Sequence, residues 1–370
     1  MQVHGEAARN SLIARAWRRY ERYEGHIGAI ALVFGFVVDV LTLQRIDLLF
    51  ENLVIVFYLT VAGISIALIT VYDAGRLRWR PFAWLRIVLP IISQFAFGGL
   101  FSGFVVFYSR SAVFGASALF MLALLALLIG NEFFKEYYTR LSFQASIYFT
   151  ALFFFAIFSV PVVVGEIGAW VFVLSGVVSI LVLTFLLYLL ARVVPQRVAK
   201  NRGRIVASVG SIFALITILY FANIIPPIPL SLKDAGAYHS VARGVDGYHV
   251  VTERESRWRV FFLGPTLRVV QGDSVSFYSA VFAPTRLDTN IIHHWQYYDE
   301  TADEWKTASR ISFSISGGRD DGYRGYSVKT AVWPGKWRVD VETPRGARLG
   351  RETFTLVLAS STPALIEEVR

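Results

Sequence analysis

Apolar positions change period along the chain. From residue 27 to residue 225 they come in long runs, and beyond about residue 240 they alternate with polar ones. A run of about 20 apolar residues can cross ~30 Å of hydrocarbon as a helix. Seven stretches suit that role, at roughly 27–43, 52–72, 83–108, 112–130, 143–164, 169–191 and 205–225. The first is short and contains Asp39, and the third contains Pro90, Gly98 and Gly99. No small-x-small cleavage site follows the first run and further runs come after it, so a span is expected there and not a signal peptide. Ahead of it, Leu12, Ile13, Ala16, Trp17, Tyr20 and Tyr23 recur at helical spacing opposite arginines. That predicts an amphipathic helix in the headgroup layer, within a cytoplasmic segment over 1–25. Phe133, Phe134, Tyr137, Tyr138 and Leu141 suggest a second interfacial stretch.

The last run ends at Asn223–Ile224–Ile225–Pro226–Pro227–Ile228–Pro229, which no helix continues through. A linker is expected over 226–235. Period two then takes over: Trp258, Val260 and Phe262; Val275, Phe277, Ser279 and Val281; Ile311, Phe313 and Ile315; Trp337, Val339 and Val341. Thr343–Pro344–Arg345–Gly346 is a turn signal between two such runs. Strands are expected near 248–252, 257–263, 266–270, 274–283, 290–298, 304–307, 310–316, 324–332, 335–342 and 350–358. Short, regularly spaced strands without helices predict an all-β, immunoglobulin-like sandwich over 236–358, with 359–370 a tail. The expected architecture is a polytopic helical membrane domain over 26–225 followed by that sandwich.

Composition agrees with a membrane chain: 55% of the 370 residues are hydrophobic and 17% are charged. Of the net charge of +9, +8 sits in the helical half, where 18 Lys/Arg face 10 Asp/Glu, against 18 and 17 from residue 226 on. Alternate loops divide the 18 cations as 16 and 2. The rich side carries Arg9 to Arg22, Arg76 to Arg86, Lys135, Arg140 and Arg192 to Arg204; the poor side carries Arg45 and Arg110. Cationic residues resist translocation, so the rich side is expected in the cytoplasm of a bacterial inner membrane and the C-terminal domain in the periplasm. A basic excess spent on topology leaves no basic face on a soluble module, so nucleic acid is not an expected partner. The absence of cysteine excludes disulfides and thiolate chemistry.

Candidate chemistry is sparse. Asp39 is a carboxylate inside a span, with Arg45, Asp47, Glu51 and Arg110 toward the same outer end. Such a group is a proton- or cation-binding candidate, or an internal ion pair of Asp39 with Arg45 or Arg110. Gln94 and Gln144 are expected to hydrogen-bond between helices, and Gly99 with Gly103 to let two helices approach closely. His293 and His294 are adjacent on a strand, so they point to opposite faces and no metal site is expected. Trp295, Tyr298, Trp305, Tyr323 and Tyr326, with the two histidines, either fill the sandwich core or form a partner-binding surface. Gly317–Gly318–Arg319–Asp320–Asp321–Gly322 fits no phosphate-binding loop, because no strand–helix junction surrounds it.

His293–His294–Trp295, Gly325–Tyr326–Ser327–Val328–Lys329, and Gly335–Lys336–Trp337–Arg338–Val339–Asp340–Val341 with Gly350 and Phe354 occur in that order. They resemble the bacterial domain-of-unknown-function 2914 family, whose members carry a His-x-Trp-like, a Tyr-Ser-x-Lys-like and a Gly-x-Trp-Arg-Val element. The resemblance covers about 60–120 residues. It implies a β domain tethered behind a multi-span region, and it carries no established activity or catalytic residue to transfer. The expected function is therefore non-enzymatic: a membrane-held module that binds or senses a ligand, glycan or protein, without cofactor. The alternative is an ion, small-solute or lipid transporter or channel using Asp39 as coupling site. An intramembrane enzyme built on Asp39, Asp47 and Glu51 has no supporting spacing. Expected partners are the lipid bilayer, the periplasmic ligand, and further copies of the chain or other membrane proteins.

Overall fold

The computed structural model describes residues 33–43, 48–76, 85–111, 117–133, 137, 140–254, 264–285, 287–319, 321–361 and 363–370. Seven helices lie among them: α1 (Val33–Thr42), α2 (Leu49–Asp73), α3 (Leu85–Ser109), α4 (Ala118–Phe133), α5 (Leu141–Val164), α6 (Ala169–Val193) and α7 (Pro195–Phe221). Five of them, α2, α3, α5, α6 and α7, are long and apolar enough to cross a membrane. The expected first and fourth spans run into residues outside the described set, as do the amphipathic segment and part of the second interfacial stretch.

Apart from the polar first turns of α7, the five long helices are largely apolar around their circumference, which suits a bundle in lipid. Their ends follow local chemistry: Gly165 takes the left-handed conformation after α5, and Pro195 opens α7 where its missing N–H costs nothing. The bundle core is aromatic, with Phe104, Phe107, Tyr108, Phe120, Phe154 and Phe158 in edge-to-face or tilted contact. Tyr108 donates its hydroxyl to the Phe154 carbonyl at 3.0 Å. Gly99 and Gly103 let α2 approach α3: a Cβ there would lie 2.7 Å from the Tyr58 ring and 2.8 Å from Ile55. Gln94 bonds between helices: its side-chain amide donates to the Asn131 backbone carbonyl at 3.4 Å, and its backbone carbonyl accepts from the Asn131 side-chain amide at 3.0 Å. Gln144 is buried.

Eleven strands follow: β1 (Ser231–Tyr238), β2 (Ser240–Arg243), β3 (Tyr248–Glu253), β4 (Thr266–Val269), β5 (Val275–Phe282), β6 (Asp288–Asp299), β7 (Glu304–Ser316), β8 (Tyr323–Lys329), β9 (Gly335–Glu342), β10 (Arg348–Leu358) and β11 (Leu365–Val369). They form three sheets, ordered β1-β5-β8, β4-β10-β9-β6-β7 and β11-β3-β2. The first two share one core around Phe277, Trp295, Trp337, Val339 and Phe354. The small third sheet packs on the back of the first through Tyr238, Val241, Val250 and Tyr278.

This differs from a two-sheet immunoglobulin-like sandwich, and β5 shows why. All eight of its residues are buried. Val275, Phe277, Ser279 and Val281 face one neighbour sheet, while Tyr278 and Ala280 face the other. The runs expected at 304–307 and 310–316 are one strand, β7, whose register against β6 shifts between Trp295 and Gln296. The strand expected at 257–263 lies outside the described residues. Strand β1 begins inside the expected linker, and the expected tail holds β11, which pairs with β3 from Leu365–Glu253 to Val369–His249. A short strand carrying Glu367 and Glu368 at a sheet edge looks like a tail until its partner is known.

Helices and strands meet directly. Ile225 and Ile228 belong to the helical core and Leu230 to the β core. Ile167, in the α5–α6 loop, packs against the β core, and the Ser111 hydroxyl donates to the Leu230 carbonyl.

Candidate functional site

The outer face of the five-stranded sheet carries the densest polar chemistry of the β region. Alternation along β9 sends Trp337, Val339 and Val341 inward and Lys336, Arg338, Asp340 and Glu342 outward. Cross-strand register then aligns Arg310, His294, Asp340 and Arg351 in one row over β7, β6, β9 and β10. Asp340 is 1% exposed and receives two bonds from Arg351, at 2.5 and 2.7 Å, with Arg348 3.2 Å away. Glu342 lies 3.0 Å from Arg310 and 3.1 Å from Nδ1 of His294, whose Nε2 is 2.9 Å from the Thr307 hydroxyl.

His294, Asp340 and Glu342 bring ligand-type atoms within 4.8 Å of one another. Each carboxylate is already held by a guanidinium, and Arg348 stands beside them. A divalent cation would have to displace those arginines, so the arrangement is an ion-pair network.

Beside it lies an aromatic strip. Arg338 donates to the Gln296 side-chain oxygen at 2.5 Å and stacks its guanidinium 4.2 Å from the Trp305 ring centre. Trp305 and Tyr298 are tilted against each other at 5.3 Å, and the Lys336 ammonium lies 5.6 Å from the Tyr298 ring centre. Below the strip, Lys306 and Asp299 pair at 2.6 Å, and this bond holds the Asp299 carboxyl below its usual range.

His293 points the other way. It is fully buried, its ring nitrogens each 2.8 Å from a hydroxyl, of Ser279 and of Ser327. Phe277 and Phe313 meet it edge-on, and burial pushes its pKa down to about 3, so it is neutral. Trp295 is also fully buried and donates to Ser327 at 3.0 Å. These two are core residues. Tyr323 is half-buried against the core with Arg319 over its ring, and Tyr326 is exposed on the opposite sheet beside Tyr248. The strip therefore gathers His294, Tyr298 and Trp305 on one face, and separates them from His293, Trp295, Tyr323 and Tyr326.

The membrane candidates divide as well. Asp39 is within electrostatic reach of Ser102 of α3 and Tyr58 of α2. Arg110 donates at 2.6 Å to the Leu43 carbonyl just past α1, where a cation suits the helix dipole, and the Glu51 carboxylate is within electrostatic reach of it. Arg110 thus serves α1 by capping it. Arg45 and Asp47 lie outside the described residues.

Arg310, Arg351, Asp340 and Glu342 were not marked by the sequence pattern as a unit, since only strand register assembles them. Arg345 was visible only as a turn residue. It lines a cleft of about 170 Å³ between helices and strands, with Phe172, Tyr220, Pro226, Ile228 and Thr343 among its walls.

Helices long and apolar enough to cross a membrane, joined to a layered β region, are consistent with a membrane protein that carries an appended β module. Residues 288–356, from β6 into β10, match the family described as "Protein of unknown function (DUF2914)". No curated protein matches the chain. Among solved structures, the Pseudomonas fluorescens alkylpurine DNA glycosylase AlkC, bound to DNA containing an abasic site analog, aligns at 10% identity over 85% of this chain and 99% of that one. Its TM-score of 0.21 carries no structural likeness on which to build.

Proposed function

We propose that the protein is a non-enzymatic inner-membrane protein that presents its β region on the periplasmic side as a binding or sensing module. Helix ends support the orientation. Asp73, at the end of α2, pairs with Arg197 at the start of α7, and Arg140, Lys200 and Arg204 share their neighbourhood. The far end of α7 meets the β region, where Arg110 is the described helix-end cation. Cations collected at one end favour the cytoplasm for that end.

The binding assignment rests on the outer sheet face, where Trp305, Tyr298, Arg338 and Lys336 stand on rigid strands. Aromatic and arginine side chains of this kind are enriched at protein–protein interfaces. A photo-crosslinking residue at position 305 of the full-length chain in cells should capture an envelope component; one at exposed Lys233 should not. Equal yields at both positions would remove the case for this face. A phosphatase reporter fused after Val369 should be active, and activity only for a cytosolic reporter would reverse the topology.

One observation favours transport as a second function. Glu51 is 4% exposed, and its Oε2 has no hydrogen-bond partner among the described residues, beside the outer end that holds Arg110. Asp39→Asn and Glu51→Gln should then abolish pH-dependent flux in proteoliposomes; unchanged flux in both eliminates this function.

A further inference from the structure

The end of the bundle remote from the β region contains a cleft of about 480 Å³. Two helix beginnings wall it. Arg140, Leu141 and Ser142 come from the start of α5, and Gln196, Arg197, Lys200, Asn201 and Arg204 from the first turns of α7. The α7 residues recur at three and four positions and so share one helical face. Half of the eight lining side chains are cationic and none is acidic.

Part of this set is already engaged. Arg197 bonds Asp73 at 2.9 Å, the Asn201 amide donates to the Arg197 carbonyl at 2.9 Å, and Arg140 lies over the Tyr137 ring at 4.9 Å. Lys200 and Arg204 are exposed and have no ion-pair partner among the described residues. The N-cap of α5, Arg140, supplies no side-chain bond to the first-turn N–H groups at the cleft wall. Depth matters too. Arg140 immediately precedes the apolar part of α5 at Leu141, and Arg204 precedes that of α7 at Ile205. Two membrane-spanning segments therefore begin at the cleft floor, which sets it at headgroup level.

We propose that this cleft binds an anionic phosphate group, either the headgroup of an acidic phospholipid or a small soluble phosphate. A guanidinium matches phosphate oxygens in pairs and an ammonium adds a point charge. Basic pockets between spans are suited to such headgroups.

The test uses the full-length protein in an uncharged detergent, with short-chain phosphatidylglycerol, short-chain phosphatidylcholine and inorganic phosphate as probes, and binding read by native mass spectrometry. At about fivefold per cation near an anionic surface, Lys200→Gln with Arg204→Gln should weaken phosphatidylglycerol binding roughly 25-fold. Arg192→Gln with Arg202→Gln removes equal charge outside the cleft and should leave binding unchanged. The charge-keeping pair Lys200→Arg and Arg204→Lys should retain it, which separates lost charge from lost structure. Preference for phosphatidylglycerol assigns the cleft to lipid. Inorganic phosphate binding with the same variant dependence assigns it to a soluble anion. Equal loss in both glutamine pairs, no loss in the cleft pair, or equal binding of phosphatidylcholine would each overturn the proposal.

Discussion

Arg345, in the turn between β9 and β10, places its guanidinium 3.6 Å from the centre of the Tyr220 ring and donates to the Tyr220 carbonyl at 2.7 Å. That carbonyl lies in the last turn of α7, where it also accepts from the Asn223 N–H at 3.1 Å and the dipole favours a cation. One side chain thus ties the β module to the end of a spanning helix. The Asn223 amide, 3.4 Å from the Arg345 carbonyl, adds a second tie.

Arg345→Ala should loosen this joint by about 1–3 kcal/mol, the range of a charged hydrogen bond with a partly desolvated cation–π contact. Limited proteolysis of the full chain should then cut faster within 222–230. An unchanged cleavage rate would show that Ile167, Leu230 and Ser111 hold the joint by themselves.

His293 predicts an acid sensitivity of the β region. Its folded pKa, about 3, lies below the unfolded value of 6.5. The neutral ring is favoured by folding, so this stability is fully present above pH 6.5 and is lost as pH falls toward 3. The slope should approach roughly 1.4 kcal/mol per pH unit. Near-UV circular dichroism of Trp295 and Trp337 across pH 7 to 4 reads it, and a flat melting temperature over that window would contradict it.

Asp340 and Arg310 should differ in cost although both sit in one network. Asp340→Ala strands Arg351 and Arg348 around a buried position. It should cost about 2–4 kcal/mol, below the full cost of breaking a buried pair because both arginines are partly solvated. The Arg310 side chain is 46% exposed, so Arg310→Ala should cost about 1 kcal/mol or less. Thermal unfolding of the two variants compares them directly.

Gly99→Val should separate α2 from α3. The added Cβ alone would lie 2.7 Å from the Tyr58 ring, a clash worth about 1–3 kcal/mol of strain. Gly210, with nothing within 4 Å, is the control. Detergent stability should fall for the first substitution and change little for Gly210→Ala.

Much of the fold was legible locally. Spans expected at 52–72, 83–108, 143–164 and 169–191 appear as α2, α3, α5 and α6, because an apolar run of that length has few other stable states. Helix α7 starts ten residues early, at Pro195, since a polar helical extension leaves no hydropathy signal. The opposite faces of His293 and His294 follow from strand geometry alone. The candidate surface was less legible: His293 and Trp295 proved to be core, because alternation distinguishes two faces and does not say which one a second sheet will cover.

The sequence by itself determined where helices give way to strands, which side chains share a face, and how charge divides between loops, since all three depend on neighbours a few residues apart. The tertiary structure decided the rest. It covered both faces of β5, recruited β11 to an edge, aligned Arg310, His294, Asp340 and Arg351 across four strands, and set Arg345 on Tyr220. Each of those is a contact between residues distant in the chain, fixed by which surfaces could be buried together and by strand register, and neither is written in any local period.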